Sequence, residues 1–398
     1  MVILKKSLFL KNNKDTILVF FLTILIFYLL IEYSNSDIRA HLKHVVNINS
    51  GISSYPPNFL YYLLVNMLSG FTSNFHLLLV SAIIVLASSV TLKYMVTKYI
   101  ITDYLAIKGI VFPQKSTILV SIGLLFFFSI PDYYCITQLE YWYSCRFPPH
   151  VWHNSTILLV FPFAILLFWK QYKLMNFKTK NIKKELMFLS MLVIINIIIK
   201  PSFLFAFIPI TGLYILKKYW SKGIKTIFIF LSPSIIGTCL ILASYFLIFH
   251  FQTGTMHDEK SSIYISNFFE IFNFWMPNWY IPISLIISFI FPILFYLLYS
   301  KYIKDSLTQY TLLIVFFSIL ISAFIMEDGP RKSHGNFIWQ NVIAVYIIEL
   351  VTTLHFITVY RINSLKNKKI KLLSFIFLLH SISGIAYLIK TIFIGNYF

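Results

Sequence analysis

The chain holds 398 residues, 58% of them hydrophobic, including 41 Phe and 26 Tyr, with only 12% charged, and its mean hydropathy is +0.78. A composition this apolar cannot furnish the polar surface of a soluble globular protein, so soluble enzyme classes are excluded and a polytopic helical membrane protein is implied. The formal net charge of +19 does not point to nucleic acid, because its Lys and Arg residues recur in separate short segments between apolar runs instead of gathering in one domain.

In chain order, Lys5, Lys6, Lys11 and Lys14 precede the run TILVFFLTILIFYLLI at 16–31. Charged residues follow it instead of a small-residue cleavage site, so it reads as a retained anchor. The segment PPNFLYYLLVNMLSGF comes next and is apolar but short. Counting it as a crossing would break the alternation of basic and non-basic loops, so it is expected to lie in the interface or dip into it. Longer runs follow, among them LLLVSAIIVLASSV and YIPISLIISFIFPILFYLLY, each able with its flanks to span a hydrocarbon core of roughly 30 Å.

Segments 5–14, 93–115, 170–184, 217–225, 301–304 and 361–371 carry 25 of the 33 Lys and Arg residues. The positive-inside rule assigns these to the cytoplasmic side, in contact with anionic membrane lipids. The expected architecture is all-α: one transmembrane domain over 1–398 with about eleven spans, the N-terminus inside. Outer segments then fall at 32–73, with interfacial helices, and at 131–153, 250–278 and 326–336, plus a tight turn at Lys200 and Pro201. Three cysteines are too few for a disulfide framework. Cys135 and Cys145 share one outer loop and could pair, whereas Cys239 falls in a span. The sequon Asn154-Ser-Thr lies at the mouth of a helix and is taken as a chance match.

The acids sort as sharply as the bases. Glu32, Asp37, Asp132, Glu140, Asp258, Glu259, Glu270, Glu327 and Asp328 are nine of the fourteen Asp and Glu residues and all fall in outer segments. His41, His44, His150, His153, His250, His257 and His334 join them, seven of ten. Orientation rules do not ask for histidines there, so a site assembled from loops on a helical scaffold is expected. Loops that are merely wet and polar are the plainer alternative.

In SNSDIRAHLKH, Ser36 can cap a helix whose first turn carries Asp37, beside the positive end of the helix dipole. At 3.6 residues per turn Asp37, His41 and His44 share one face, away from Arg39 and Lys43. Such a trio can act as a general base, or it can hold a divalent cation such as Mg or Mn through one carboxylate and two imidazoles. In LEYWYSCRFPPHVWHNSTILL, Trp152 and the tyrosines are candidates for a wall facing a sugar or isoprenoid, with Glu140, Arg146, His150 and His153 as polar contacts. Lys200 ends an apolar run before Pro201 and can meet an anion such as a lipid-linked phosphate, or snorkel to the interface. FIMEDGPRKSHGNFIW concentrates Glu327, Asp328, Arg331, Lys332 and His334 in a turn with two glycines. That turn is a candidate phosphate or pyrophosphate contact, against which stands an internal pair with Glu327 or Asp328. Glu349, mid-span with His355 nearby, is the residue that argues for a proton-coupled transporter. Walker, dinucleotide, CxxC and HExxH signatures are absent.

An outer-loop acid with His four positions on, in DIRAH, followed by an interfacial aromatic segment opening with YPP, resembles the GT-C superfamily of polytopic glycosyltransferases. The words WHNST, KPSF and HGNFIW are similar to bacterial membrane proteins of surface-polysaccharide loci. The resemblance implies a GT-C-like fold in the inner membrane. It also implies transfer of a sugar from a polyprenyl-phosphate carrier to a glycan or lipid-linked acceptor on the outer face. Carried over residue by residue, it makes Asp37 the base, with Lys200, Arg331, Lys332 and His334 as phosphate contacts; independently of the resemblance, His41 or His44 is placed to tune Asp37. Many members pair two acids in this loop, whereas Asp37 is followed by Ile38 and Arg39. A polymerase or ligase acting on polyprenyl-pyrophosphate glycans, and a transporter or flippase, remain alternatives.

Overall fold

Hydrocarbon offers the peptide groups no partners, so each long apolar run closes its hydrogen bonds within a helix. The computed structural model describes residues 14–34, 36–139, 142, 146–251, 262–329, 332–363 and 367–394. Among them, seven helices are long and apolar enough to cross a membrane. These are α1 (Lys14–Tyr33), α4 (Phe75–Ile107), α7 (Ser155–Asn176), α10 (Ile224–Tyr245, prolonged by a π turn to His250), α13 (Ser306–Phe324), α14 (Trp339–Asn363) and α15 (Lys368–Ile394). A pair bent by 56°, α11 (Ile281–Ser288) and α12 (Ile290–Leu298), makes an eighth if it acts as one span. Three more apolar helices are shorter or carry charge at one end: α5 (Gln114–Leu125), α8 (Ile182–Ile199) and α9 (Ser202–Tyr219).

Short polar residues start the helices, as their chemistry dictates. The side chains of Asn74, Asn154, Asn181 and Asp305 accept backbone N–H bonds at the first turns of α4, α7, α8 and α13. Ser36 stands at the N-cap of α2 (Asp37–Asn49) with extended backbone, yet its hydroxyl makes no capping bond. Pro201 ends α8 at an extended Lys200 and opens α9, so the two helices fold back on each other. α3 (Leu60–Leu68) has nine residues and α6 (Tyr133–Thr137) five, too few to cross.

α14 is the centre of the bundle: 94% of its apolar window is buried, against 28% for α10. A helix apolar on every side belongs inside other helices, and α14 packs on α4, α7, α9, α12, α13 and α15. At one end of the bundle, acids tie the basic helix ends together. Lys98 meets Asp15 at 2.5 Å, and Lys173 meets Asp103 at 2.6 Å.

Two features depart from the sequence-based expectation. Residues 262–265 and 325–328 form antiparallel strands β1 and β2, with Ser262 opposite Asp328 and Ile265 opposite Ile325. Two outer loops expected to be separate are thereby joined by a backbone ladder. A second apolar core beneath them gathers Phe147, Phe269, Phe272, Met276, Tyr280 and Met326 into a cap. Second, Lys93 does not belong to a surface basic segment. α4 continues for 33 residues, and Lys93 lies inside the bundle, 1% exposed.

Candidate active site

Four segments distant in sequence meet at the Asp37 end of the bundle. Asp37 opens α2, and Asn154 precedes α7. Lys200 turns α8 into α9, and His334 lies between β2 and α14. Asn154 does two jobs with one amide. Its oxygen accepts the Ile157 N–H at 3.0 Å, capping α7, while its nitrogen donates to Asp37 Oδ2 at 3.2 Å. Because the cap fixes the oxygen, the nitrogen has one direction left, and the carboxylate lies along it.

Burial pushes the Asp37 carboxyl above its ordinary value, although Lys200, His334 and the Asn154 bond all pull it down. Lys200 is its electrostatic complement: burial lowers the ammonium to about 8, opposed by the charges of Asp37 and Glu327. Its Nζ donates to Thr156 Oγ1 at 3.3 Å and sits 5.1 Å from the centre of the Trp339 ring. His153, 1% exposed, packs edge-on to the same ring. Burial and then the charge of Lys200 lower His153 to about 3, so this imidazole is neutral at physiological pH. The assembly offers a carboxyl raised above its ordinary value, an ammonium lowered to about 8 and an exposed imidazole on one rim. That combination suits proton abstraction beside a departing anion.

His41 and His44 face a different partner. His41 Nδ1 bonds the Tyr62 hydroxyl at 2.9 Å, and the His44 ring packs edge-on to Tyr62 with centres 5.1 Å apart. Burial, Lys200 and His44 together push His41 down to about 3. The expected Mg or Mn ligand set of Asp37, His41 and His44 is therefore corrected. Among the described residues no three His, Cys, Asp or Glu side chains converge. The helical spacing is as expected, but the tyrosines of α3 take the histidines while Asn154 takes the carboxylate.

The other expected contacts divide. Arg146, fully buried, donates to Asp132 at 2.9 Å and to the Tyr280 hydroxyl at 2.6 Å, so it braces the cap instead of meeting substrate. Trp152, 1% exposed, is core packing against Phe27, Phe126 and His150 and not an open wall. Lys332 pairs with Glu270 at 3.3 Å, an acid from the neighbouring loop and neither of the two expected. Asn336 donates to the buried Glu327. His150 does not reach the rim: its Nδ1 lies 3.0 Å from Lys93 Nζ inside the bundle. Glu140 and Arg331 lie outside the described residues, as does Cys145 and with it the Cys135 pairing.

Sequence reasoning missed Asn154, Thr156 and Lys93. Asn154 and Thr156 form the two ends of the discarded sequon, and N-S-T before an apolar run is also a helix-start signal. Lys93 was hidden by its basic neighbours, although Val90, Tyr94, Thr97 and Ile101 continue its helical periodicity. No protein-family model matches the chain, and neither does any curated protein or solved structure.

Proposed function

We propose that the chain is a membrane glycosyltransferase of GT-C-like design that moves a sugar from a polyprenyl-phosphate carrier to a glycan or lipid-linked acceptor. The observation that carries this reading is the meeting of Asp37, held by Asn154, with Lys200 and His334 at one end of an apolar bundle. Asp37 takes the proton of the acceptor hydroxyl, and Lys200 and His334 neutralise the phosphate that leaves. A carrier too apolar to leave the bilayer reaches them along the helices. In this reading α5, α8, α9 and the bent pair also cross, giving eleven spans. The Asp37 end then faces outward from a bacterial inner membrane, in a cell-surface polysaccharide pathway.

A polymerase or ligase working on pyrophosphate carriers is less well supplied. Arg39 donates to the Ile31 carbonyl at 2.8 Å and Arg146 is committed to Asp132 and Tyr280. Transport is the reading that buried Glu349 favours.

The test is transfer of radiolabelled sugar from polyprenyl-phosphate donors in membranes holding equal amounts of wild type or Asp37→Asn. Loss of a general base costs about 10²–10⁴-fold, so Asp37→Asn is expected to fall at least a hundredfold. Full activity in that variant would overturn the assignment.

A further inference from the structure

Glu349 lies near the middle of α14, fully buried, and neither carboxyl oxygen has a hydrogen-bond partner among the described residues. A bare carboxylate in such a place is strongly disfavoured, and the usual relief is to bind a proton. The alternative relief would be a cation, and Lys93 is a lysine buried in the same bundle. Lys93, however, is committed elsewhere. Its ammonium lies 3.0 Å from His150 Nδ1 and stands 3.8 Å and 3.9 Å from the ring centres of Phe161 and Tyr346.

From Glu349 a series of proton-bearing groups leads to the opposite end of the bundle from Asp37. The Tyr296 hydroxyl of α12 feels the charge of Glu349 without a hydrogen bond to it. It is 3.4 Å from Thr308 Oγ1 of α13, which in turn is 3.4 Å from His355 Nδ1 of α14. On the other side of that ring, His355 Nε2 is 3.5 Å from Asp305 Oδ2, and Asp305 caps α13 with 27% of its side chain exposed. The titratable groups around His355 on the neighbouring elements are Tyr104 of α4, Lys108 just past its end, Tyr296 of α12, Tyr302 between α12 and α13, and Asp305 itself. Hydroxyls and imidazole both donate and accept, so each can release one proton as it gains another.

We propose that Glu349 is a proton-binding site inside the membrane span, filled and emptied from the Asp305 end of the bundle through His355, Thr308 and Tyr296. In one inward transfer, Asp305 takes a proton from water and gives it to His355 Nε2, and the ring releases the one on Nδ1 to Thr308. The Thr308 hydroxyl passes its own to Tyr296, and Tyr296, which makes no hydrogen bond to Glu349 in this structure, passes its own to the carboxylate when side-chain rotation brings the two within hydrogen-bond distance. Each O–H or N–H bond broken is replaced by one formed, and the net change is one proton moved from water at Asp305 to Glu349. The inference does not rest on sugar transfer, because no group in the series belongs to the Asp37 cluster.

The experiment is infrared spectroscopy of the full chain in liposomes on exchange from H2O to D2O. A protonated buried carboxyl is expected as a carbonyl band that is present in the wild type and missing in Glu349→Gln. Its deuterium shift should slow at least tenfold in His355→Phe. Tyr296→Phe, which deletes one oxygen and keeps the ring, is expected to slow it likewise and serves if His355→Phe misfolds. A spectrum unchanged by Glu349→Gln would overturn the site. Exchange at the wild-type rate in Tyr296→Phe would overturn the route.

Discussion

Asn154 shows how a single amide can couple a helix start to a candidate catalytic group. Asn154→Asp keeps an oxygen to cap α7 but places a second carboxylate against Asp37 Oδ2. Like charges at that range raise the carboxyl further. Transfer at neutral pH is therefore expected to drop by at least tenfold, while the thermal midpoint of the purified protein moves little. Asn154→Ala instead loses the cap, worth about 1 kcal/mol. A second expectation follows from Lys200. Below its value of about 8 the ammonium is charged and can meet a phosphate, and above it that charge is lost. Activity should thus fall on the alkaline side near that value. Its acid limb should sit above the ordinary carboxylate value of 3.8, since Asp37 is raised. Lys200→Arg stays charged and should carry the alkaline limb upward in a pH–rate profile by two pH units or more. An unmoved limb would remove Lys200 from the reaction. Asp37, Lys200 and His334 were legible in the sequence because charge is scarce in this chain and therefore conspicuous. The partners that aim them, Asn154 and Thr156, are small polar residues of a kind found at any helix start, and only the fold shows which ones face the carboxylate.

At the scale of elements, the expectation succeeded where apolar runs are long and failed where chain segments from distant loops meet. Helix periodicity is a local signal, so α1, α13 and α15 could be drawn from sequence. β1 and β2 could not, because each is four residues long and acquires its hydrogen bonds only from the other. The bend between α11 and α12, at Phe289, was likewise hidden within one apolar run. A different local rule governs Gly384 of α15. A Cβ built there would lie 1.4 Å from the carbonyl oxygen of Phe126, the residue that closes α5. Small residues let membrane helices approach this closely. Gly384→Ala must push the two helices apart, and overpacking of this kind costs about 1–3 kcal/mol. A drop in the thermal midpoint in detergent is expected, with the pH profile of the remaining activity unchanged; an unaltered midpoint would show that the contact yields freely.

For the whole molecule, the ion pairs of Asp15 with Lys98 and Asp103 with Lys173 collect at the end where α1 begins and α4 and α7 finish. The Asp37 cluster occupies the other end. Cysteines introduced at Ile52 and Phe177, both exposed, in an otherwise cysteine-free chain are therefore expected to react with a membrane-impermeant maleimide from opposite sides of sealed vesicles. Labelling of both from one side would contradict a bundle that crosses the bilayer between them. The pairing of β1 with β2 has a consequence for how the protein is made. Its two strands are separated by α11, α12 and α13, so β1 emerges from the ribosome and waits while those helices are synthesised and inserted. Asp37, Asn154 and Lys200 are all in place by then, but His334 follows β2. The site thus has an order of assembly, and a nascent chain halted before residue 325 would hold three of its four groups with the cap still open.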